Sequence, residues 1–248
     1  MKLGILVAAT ACLIQINAAI AADITVLASG ATKEVLLDVV PQFEKSSGHK
    51  VAVTFTGSAN IRKKIAAGEV YDLVIVGAPD IDAFIQQNKV ATGTRTNLMK
   101  SGVGVAVRAG APKPDIGSGE AVKKTLLAAK SIGYSSGPSG DYVVSLIERL
   151  GIADQVKPKL KQVPSGTRIE TIIASGEAEI GFQQISELIH APGIEYIGPL
   201  PPDVQKITVF AAGLCAGAKQ PDAAKALVKA LTTPEAAVVI KQHGMDPG

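Results

Sequence analysis

Residues 51–76, VAVTFTGSANIRKKIAAGEVYDLVIV, hold the pattern that decides the fold. Apolar and polar side chains alternate over residues 51–55, which predicts a strand. A helix is predicted over residues 58–67, and Gly68 is a suitable residue to end it. Residues 73–76 form the short apolar run of a buried strand. The stretch is therefore a strand–helix–strand unit with a Gly-Ser loop after its first strand.

The same alternation of strand and helix continues through the rest of the chain. A buried strand is predicted at Ile24–Ala28 before this unit and another at Val103–Val107 after it. We therefore expect an α/β fold with largely parallel sheets flanked by helices. Two Gly- and Pro-containing segments, 108–115 and 198–205, are the predicted crossings between two lobes. The first lobe would comprise residues 22–107 and 206–248, and the second lobe residues 108–205.

The N-terminus has the features of an export signal. Lys2 is its only charge, Leu3–Ile14 is apolar, and Ala19-Ile20-Ala21 matches the small-x-small pattern that a signal peptidase cleaves. We predict a signal peptide over residues 1–21 and a periplasmic location. Cys215 would then be the one cysteine of the mature chain, and its apolar neighbours indicate a small buried hydrophobic residue.

Charge and motif content exclude several classes of function. The 248 residues include 25 Lys and Arg against 22 Asp and Glu, a net charge of +3 without a basic stripe, so we expect no nucleic-acid partner. Phosphate-loop, dinucleotide, zinc-protease and nucleophile-elbow motifs are absent. The three histidines, His49, His190 and His243, are too far apart in sequence for a metal motif. We therefore expect no metal, no cofactor, no catalytic residue and no enzyme.

Four strand-to-helix junctions share one composition. Each contains Gly, which lets backbone N–H groups approach a ligand, and hydroxyls that can donate hydrogen bonds. Each precedes a helix, whose first N–H groups are unpaired and carry partial positive charge. One such loop is an ordinary helix cap, but four at strand ends predict a cleft for a small anion. The junctions are Ser29–Thr32, Gly57–Asn60, Ser135–Gly140 and Ser165–Arg168.

Two arginines refine this prediction. Arg62 lies in the first turn of one predicted helix and Arg168 at the start of another, where a cation opposes the helix dipole. A bound anion would offset that cost, although a solvated arginine or a surface ion pair explains either residue as well. The planar guanidinium matches a carboxylate in a bidentate manner.

Six segments spread over almost the whole predicted mature length match one known family. They are Ile24–Thr32, Phe43–Val51 (FEKSSGHKV), Phe55–Gly68, Tyr71–Val76, Glu177–Gly181 and Thr233–Ala236. In these segments the chain resembles the periplasmic molybdate-binding protein family of ABC importers. The resemblance implies a type II periplasmic-binding fold, two lobes that close on a ligand, a monomer, and a membrane permease as partner.

The family holds its oxyanion with neutral donors, and the resemblance carries this role to Ser58 and to the backbone amide of Ser139, which follows Pro138. This chain departs from the family at four places. Ala31 stands where the first-loop serine is expected, with Ser29 and Thr32 nearby. Gln183 or Gln184 replaces the family's tyrosine, and Arg62 and Arg168 replace small or apolar residues.

Two arginines and a glutamine suit a planar-ended anion better than a tetrahedral one. An organic di- or tricarboxylate is therefore the favoured ligand, with molybdate or tungstate as the alternative. An exported enzyme or a sensory binding domain on the same fold are the further alternatives. The candidate ligand-binding residues are Ser29, Gly30, Ala31, Thr32, Gly57, Ser58, Arg62, Pro138, Ser139, Gly140, Thr167, Arg168, Gln183 and Gln184.

Overall fold

The computed structural model of the protein describes residues 21–248, so the proposed signal peptide lies, except for Ala21, outside the described residues. None of the described helices combines the length and apolar character needed to cross a membrane. The strands are β1 (Asp23–Ser29), β2 (Lys50–Thr56), β3 (Leu73–Gly77), β4 (Thr96–Arg108), β5 (Ile132–Tyr134), β6 (Leu160–Gln162), β7 (Ile180–Gln184), β8 (Ile194–Pro199), β9 (Ile207–Leu214) and β10 (Asp246–Pro247). The helices are α1 (Lys33–Ser47), α2 (Ser58–Ala66), α3 (Ala78–Gln86), α4 (Gly119–Ala128), α5 (Pro138–Arg149), α6 (Ala153–Val156), α7 (Glu170–Ala174), α8 (Ile185–Leu188), α9 (Pro221–Ala230) and α10 (Pro234–Gln242).

The strands lie in the order β2-β1-β3-β9-β4-β7-β5-β6, with β8 and β10 paired to β4. β1 runs parallel to β2 and β3, and β5 runs parallel to β6 and β7. β4 and β9 run antiparallel to all their neighbours. The predicted α/β class with flanking helices is confirmed. Parallel pairing is found only among β1, β2 and β3 and among β5, β6 and β7, because the antiparallel strands β4 and β9 lie between these two groups.

Strand β4 changes partners along its length. Its first part, up to Gly102, pairs with β9, and its second part, from Val103, pairs with β7 and β8. We call the strands on the first side (β1, β2, β3, β9) the first half-sheet and those on the second side (β5, β6, β7, β8) the second half-sheet. The chain therefore passes between the half-sheets inside one continuous strand, ahead of the segment 108–115 that we predicted as the first crossing. The lobe boundaries stay a prediction, and strand pairing favours a first boundary at Gly102.

Helix α1 shows how the sequence fixes the position of a cleft loop. Five of its apolar side chains recur at helical spacing and pack into a core shared with α9 and α10. Burying each contributes about 1.5–3 kcal/mol, which anchors the helix at the carboxyl end of β1. Gly48 ends the helix at φ 76°, a left-handed conformation that glycine adopts without strain. The buried residues are Val35, Leu36, Val39, Val40 and Phe43.

Helix α5 is anchored in the same way on the second half-sheet. Val143, Leu146 and Ile147 are buried in a core that also contains Phe182 of β7. A Cβ on Gly140, in the first turn, would overlap the carbonyl group of Ser135. The first turn of α5 is therefore packed directly against the end of β5, which requires glycine at this position.

Cys215 is buried, and burial raises the pKa of its thiol to about 11. A thiol that stays protonated at neutral pH is a poor nucleophile. Cys215 is therefore buried and unreactive, as expected for a small hydrophobic residue of the core.

Candidate functional site

A cavity of about 370 Å³ lies where the two half-sheets meet. Its wall is built from loops that follow β1, β2, β5 and β6 and from the end of β7. These are strand ends that open into helices, the usual position of ligand sites in α/β folds.

The cavity brings together most of the predicted ligand-binding residues. Thr32 is absent from the wall, because it is fully buried and its hydroxyl donates to the Ser29 carbonyl oxygen at 2.9 Å. Gly140 lies behind the wall, against Ser135. The predicted residues that line the cavity are Ser29, Gly30, Ala31, Gly57, Ser58, Pro138, Ser139, Thr167, Arg168, Gln183 and Gln184.

Arg62 is also outside the cavity wall. Its guanidinium Nη1 lies 3.2 Å from Asp80 Oδ2, and the Arg62 side chain is 45% exposed. The prediction that Arg62 faces the ligand is wrong in this structure. The ion pair with Asp80 of α3 offsets the charge of Arg62 at the start of α2. A surface ion pair is the alternative explanation given above for this arginine.

Three helices of nine residues or more begin at the cavity. They are α1, α2 and α5, preceded respectively by Ser29–Thr32, Gly57 and Gly137. Their first N–H groups give the cavity partial positive charge without a formal cation. Hydroxyls add neutral donors, since Ser58 and Ser139 are each only 2% exposed and Ser139 Oγ lies 3.0 Å from Ser135 Oγ.

Loops of the two half-sheets touch across the cavity. The Asn60 side chain donates from Nδ2 to the Ser165 carbonyl oxygen at 3.0 Å. The Ser186 hydroxyl donates to the Ala31 carbonyl oxygen at 2.8 Å. A Cβ on Gly57 would lie 2.7 Å from the Gly166 backbone nitrogen. The structure is therefore a closed arrangement in which the cleft is covered on two sides.

Arg168 lines the cavity but is not free of partners. It forms an ion pair with Glu170, and its Nη1 lies 3.5 Å from Glu34 Oε1 of α1. Glu34 and Arg168 thus link the two sides of the cleft. Much of the positive charge that we assigned to ligand binding is already neutralised by protein carboxylates.

Two charged residues in the wall were missed by sequence reasoning. Lys33 begins α1, and Glu187 lies in α8 directly after β7. Lys33 follows one of the four predicted junctions by a single residue. The β7–α8 junction contains no glycine, so a search for Gly-containing loops passes over Glu187. Other wall residues outside the candidate list are Phe55, Thr56, Ser135, Ser136, Gly137, Pro164, Gly166 and Phe210.

Burial raises the pKa of the Glu187 carboxyl to about 7. A hydrogen bond from Gln183 and the charge of Arg168 act in the opposite direction, and nearby Glu170 adds to the rise. Glu187 is thus partly protonated near neutral pH, unlike an ordinary glutamate.

The two glutamines offer polar atoms to the interior. Gln183 and Gln184 are buried, and the side-chain oxygen of each lacks a hydrogen-bond partner among residues 21–248. Gln184 donates to Thr208 Oγ1 at 3.0 Å, which orients it towards β9. The amide nitrogen of Gln183 faces Glu187, and its side-chain oxygen is the atom left without a partner in the described residues. Within the described part of the chain, no cluster of His, Cys, Asp and Glu is arranged to hold a metal ion.

The fold and the cleft define a periplasmic-binding type of protein, in which two α/β halves enclose a small ligand. The chain belongs to the bacterial extracellular solute-binding protein family, whose model matches residues 24–246. The resemblance to molybdate-binding proteins is thereby confirmed, and the members of this family are periplasmic or extracellular proteins.

Relatives and solved structures extend this finding. The chain is 34% identical over 230 residues to "Aconitate isomerase" of a Pseudomonas species, covering 90% of this chain and 87% of that protein. It is 25% identical to the molybdate-binding protein ModA of Escherichia coli (strain K12), covering 89% and 88% of the two chains. The periplasmic molybdate-binding protein of Azotobacter vinelandii superposes with a TM-score of 0.76 at 21% identity, covering 90% of this chain and 98% of that one.

The first of these relatives overturns one expectation. We expected no enzyme, because no general base could be found in the sequence. A relative that carries an enzyme name and matches 90% of this chain contradicts that expectation. Glu187, which lies in the cavity wall, is a carboxylic acid. Glutamate is one of the residue types that can act as a general base, and the sequence analysis had found no such residue in the cleft.

Proposed function

We propose that the cleft binds an organic tricarboxylate and isomerises it by moving one proton, as the name of the Pseudomonas relative suggests for aconitate. The observation that carries this proposal is the convergence of three helix N-termini on one cavity. Each is a site for one anionic group, so three carboxylates of one molecule have three places to bind.

Size and charge favour this ligand over a simple oxyanion. A cavity of about 370 Å³ is within the range of sites for small organic molecules. A tetrahedral ion would leave most of that space to water. Lys33 adds one cation, and it forms no ion pair within the described part of the chain. Its ammonium group is therefore available to a carboxylate.

The reaction needs no cofactor. Aconitate has a CH₂ group next to a carboxylate and to a carbon–carbon double bond, so loss of one proton gives a carbanion spread over three carbons. Return of a proton to the far carbon shifts the double bond by one position. The configuration of the new double bond follows from the torsion angle that the bound substrate had about the former single bond. A site that fixes the three carboxylates also fixes this torsion angle, and so it determines whether cis- or trans-aconitate is formed.

Molybdate or tungstate binding is the second candidate, favoured by the molybdate-binding relatives and by the buried serine hydroxyls. Delivery of the ligand to an importer permease is compatible with either candidate, and the family as a whole consists of solute-binding proteins. An ionised Glu187 repels either anion, so the preference for the tricarboxylate rests on the cavity volume and on Lys33.

Isothermal titration calorimetry tests the ligand class. Purified protein is titrated with cis-aconitate, trans-aconitate, citrate, molybdate, tungstate and sulfate under one set of conditions. We expect saturable heat with the tricarboxylates and none with sulfate. Tight molybdate binding without heat from any carboxylate would replace the proposal with the second candidate.

A further inference from the structure

Glu187 is an acid in the wall of a cleft that otherwise attracts anions. It is placed by the short β7–α8 junction, and Arg168 Nη2 donates to its backbone oxygen at 3.3 Å. A Cβ built on Gly30 would lie 3.3 Å from Glu187 Oε1, so the carboxyl lies against the β1–α1 loop on the opposite side. The carboxyl group thus lies in the cavity wall where the β7–α8 junction meets the β1–α1 loop.

A purely structural role explains this position poorly. The nearest arginine, Arg168, pairs with Glu170 and Glu34, and no cation of the described residues lies within 4.0 Å of the Glu187 carboxylate. An ionised, unpaired carboxylate beside bound carboxylates would repel them. With a pKa of about 7, part of the Glu187 carboxyl is neutral when the ligand binds, and the ionised part is the form that can accept a proton from the ligand.

We propose that Glu187 is the single acid–base group that carries the proton between the two ends of the allylic system; this inference rests on the proposed function. Ionised Glu187 takes a proton from the CH₂ carbon, and the C–H electron pair moves into the three-carbon system. The same carboxyl then returns the proton to the former vinyl carbon. No oxidant, reductant or further reactant is consumed.

The surroundings of Glu187 support one group in both roles. Among the described residues the cavity wall contains no second carboxyl side chain. The two carbons that exchange the proton are ends of one three-carbon unit, so a carboxyl on one face of it reaches both. A pKa of about 7 suits a group that must both accept and donate near neutral pH.

The test compares wild type with Glu187→Gln and Glu187→Asp. Glu148→Gln, which removes a carboxylate from the exposed face of α5, is the control. Exchange of the methylene hydrogens of cis-aconitate in D₂O and formation of trans-aconitate are followed by proton NMR, and affinity is measured by calorimetry. Glu187→Gln is expected to lose exchange and isomerisation by about 10²- to 10⁴-fold while still binding the tricarboxylate. Glu187→Asp should keep part of the activity, and Glu148→Gln all of it.

The outcomes separate the two proposals. Exchange and isomerisation at wild-type rates in Glu187→Gln would overturn the role of Glu187 and leave the proposed function intact. A wild-type protein that neither exchanges nor isomerises aconitate would overturn the proposed activity and this role together. Loss of binding as well as turnover in folded Glu187→Gln would make Glu187 a ligand-holding residue and overturn the proton-carrying role.

Discussion

The charged residues around the cleft divide into those already paired and those left to a ligand. Arg62 is paired with Asp80 and lies outside the wall, and Arg168 is shared between Glu34 and Glu170. Lys33 and Glu187 have no such ion pairs within the described residues, and both line the cavity. The chemistry of the site therefore depends more on these two residues than on the arginines.

Lys33→Met is expected to weaken tricarboxylate binding by about tenfold or more, since a charged hydrogen bond contributes about 1.5–3 kcal/mol. Arg62→Ala is the matched control, because it also removes one cation at the start of a helix but outside the cavity. Calorimetry should show affinity within about twofold of wild type for Arg62→Ala, since a half-exposed ion pair contributes little. Equal losses in both variants would mean that net charge, and not contact, controls affinity.

Glu187 also makes stability depend on pH. Its pKa rises from 4.5 to about 7 on folding, so the folded protein binds the proton more tightly than the unfolded chain between those values. The contribution is present below pH about 4.5 and is lost as pH rises to about 7. Urea unfolding at pH 5 and pH 8 should therefore show Glu187→Gln gaining stability relative to wild type at the higher pH. A constant difference at both pH values would show that the carboxyl is not perturbed.

At the level of elements, the ends of β1, β2 and β5 each present a helix N-terminus to one cavity. The sequence was sufficient to predict these junctions, because a Gly-Ser loop between an apolar strand and an amphipathic helix can be recognised from neighbouring residues alone. Contacts between distant segments were not visible. Asp80 reaches Arg62 because β3 pairs with β1, which in turn pairs with β2. Strand β4 continues through both half-sheets although Lys100, Ser101 and Gly102 interrupt its apolar pattern. The acid of the β7–α8 junction was missed because that loop lacks glycine.

Gly140→Ala tests the packing of α5 on β5. The added methyl group would overlap the Ser135 carbonyl, so the first turn of α5 must move away from the cavity. We expect a loss of stability of about 1–3 kcal/mol, typical of an overpacked site, and a loss of ligand binding. Ser145→Ala, on the exposed face of the same helix, is the control and should change neither property. Thermal unfolding and calorimetry provide the measurements, and wild-type binding by Gly140→Ala would refute the close contact.

On the scale of the whole molecule, the closed arrangement depends on contacts between the two half-sheets. Asn60 with Ser165, Ser186 with Ala31, and Glu34 with Arg168 are the cross-cleft pairs. Each of these pairs joins loop or helix-start residues of opposite halves by a polar contact, and Ala31 takes part through its backbone carbonyl although its methyl group belongs to the core of the first half. We therefore expect the halves to separate by bending at the connecting segments while each keeps its fold, and a bound ligand to favour closure.

Gly57→Ala should prevent closure without unfolding the protein. The backbone of Gly57, at φ −76° and ψ 154°, is accessible to alanine, but its methyl group would collide with Ser165 and Gly166 across the cleft. Small-angle scattering should show a larger radius of gyration than wild type in the presence of ligand, together with weaker binding. Gly117→Ala, in an exposed loop, is the control. A Gly57→Ala variant as compact as wild type would contradict the closed contact.

The central claim is that this solute-binding fold isomerises a tricarboxylate in its cleft. Its most direct test is proton NMR of cis-aconitate incubated with the purified wild-type protein and no added cofactor. We predict steady conversion to trans-aconitate, approach to the same equilibrium from either isomer, and no conversion with heat-denatured protein. Unchanged cis-aconitate at high protein concentration, under conditions in which the protein binds molybdate, would contradict the claim.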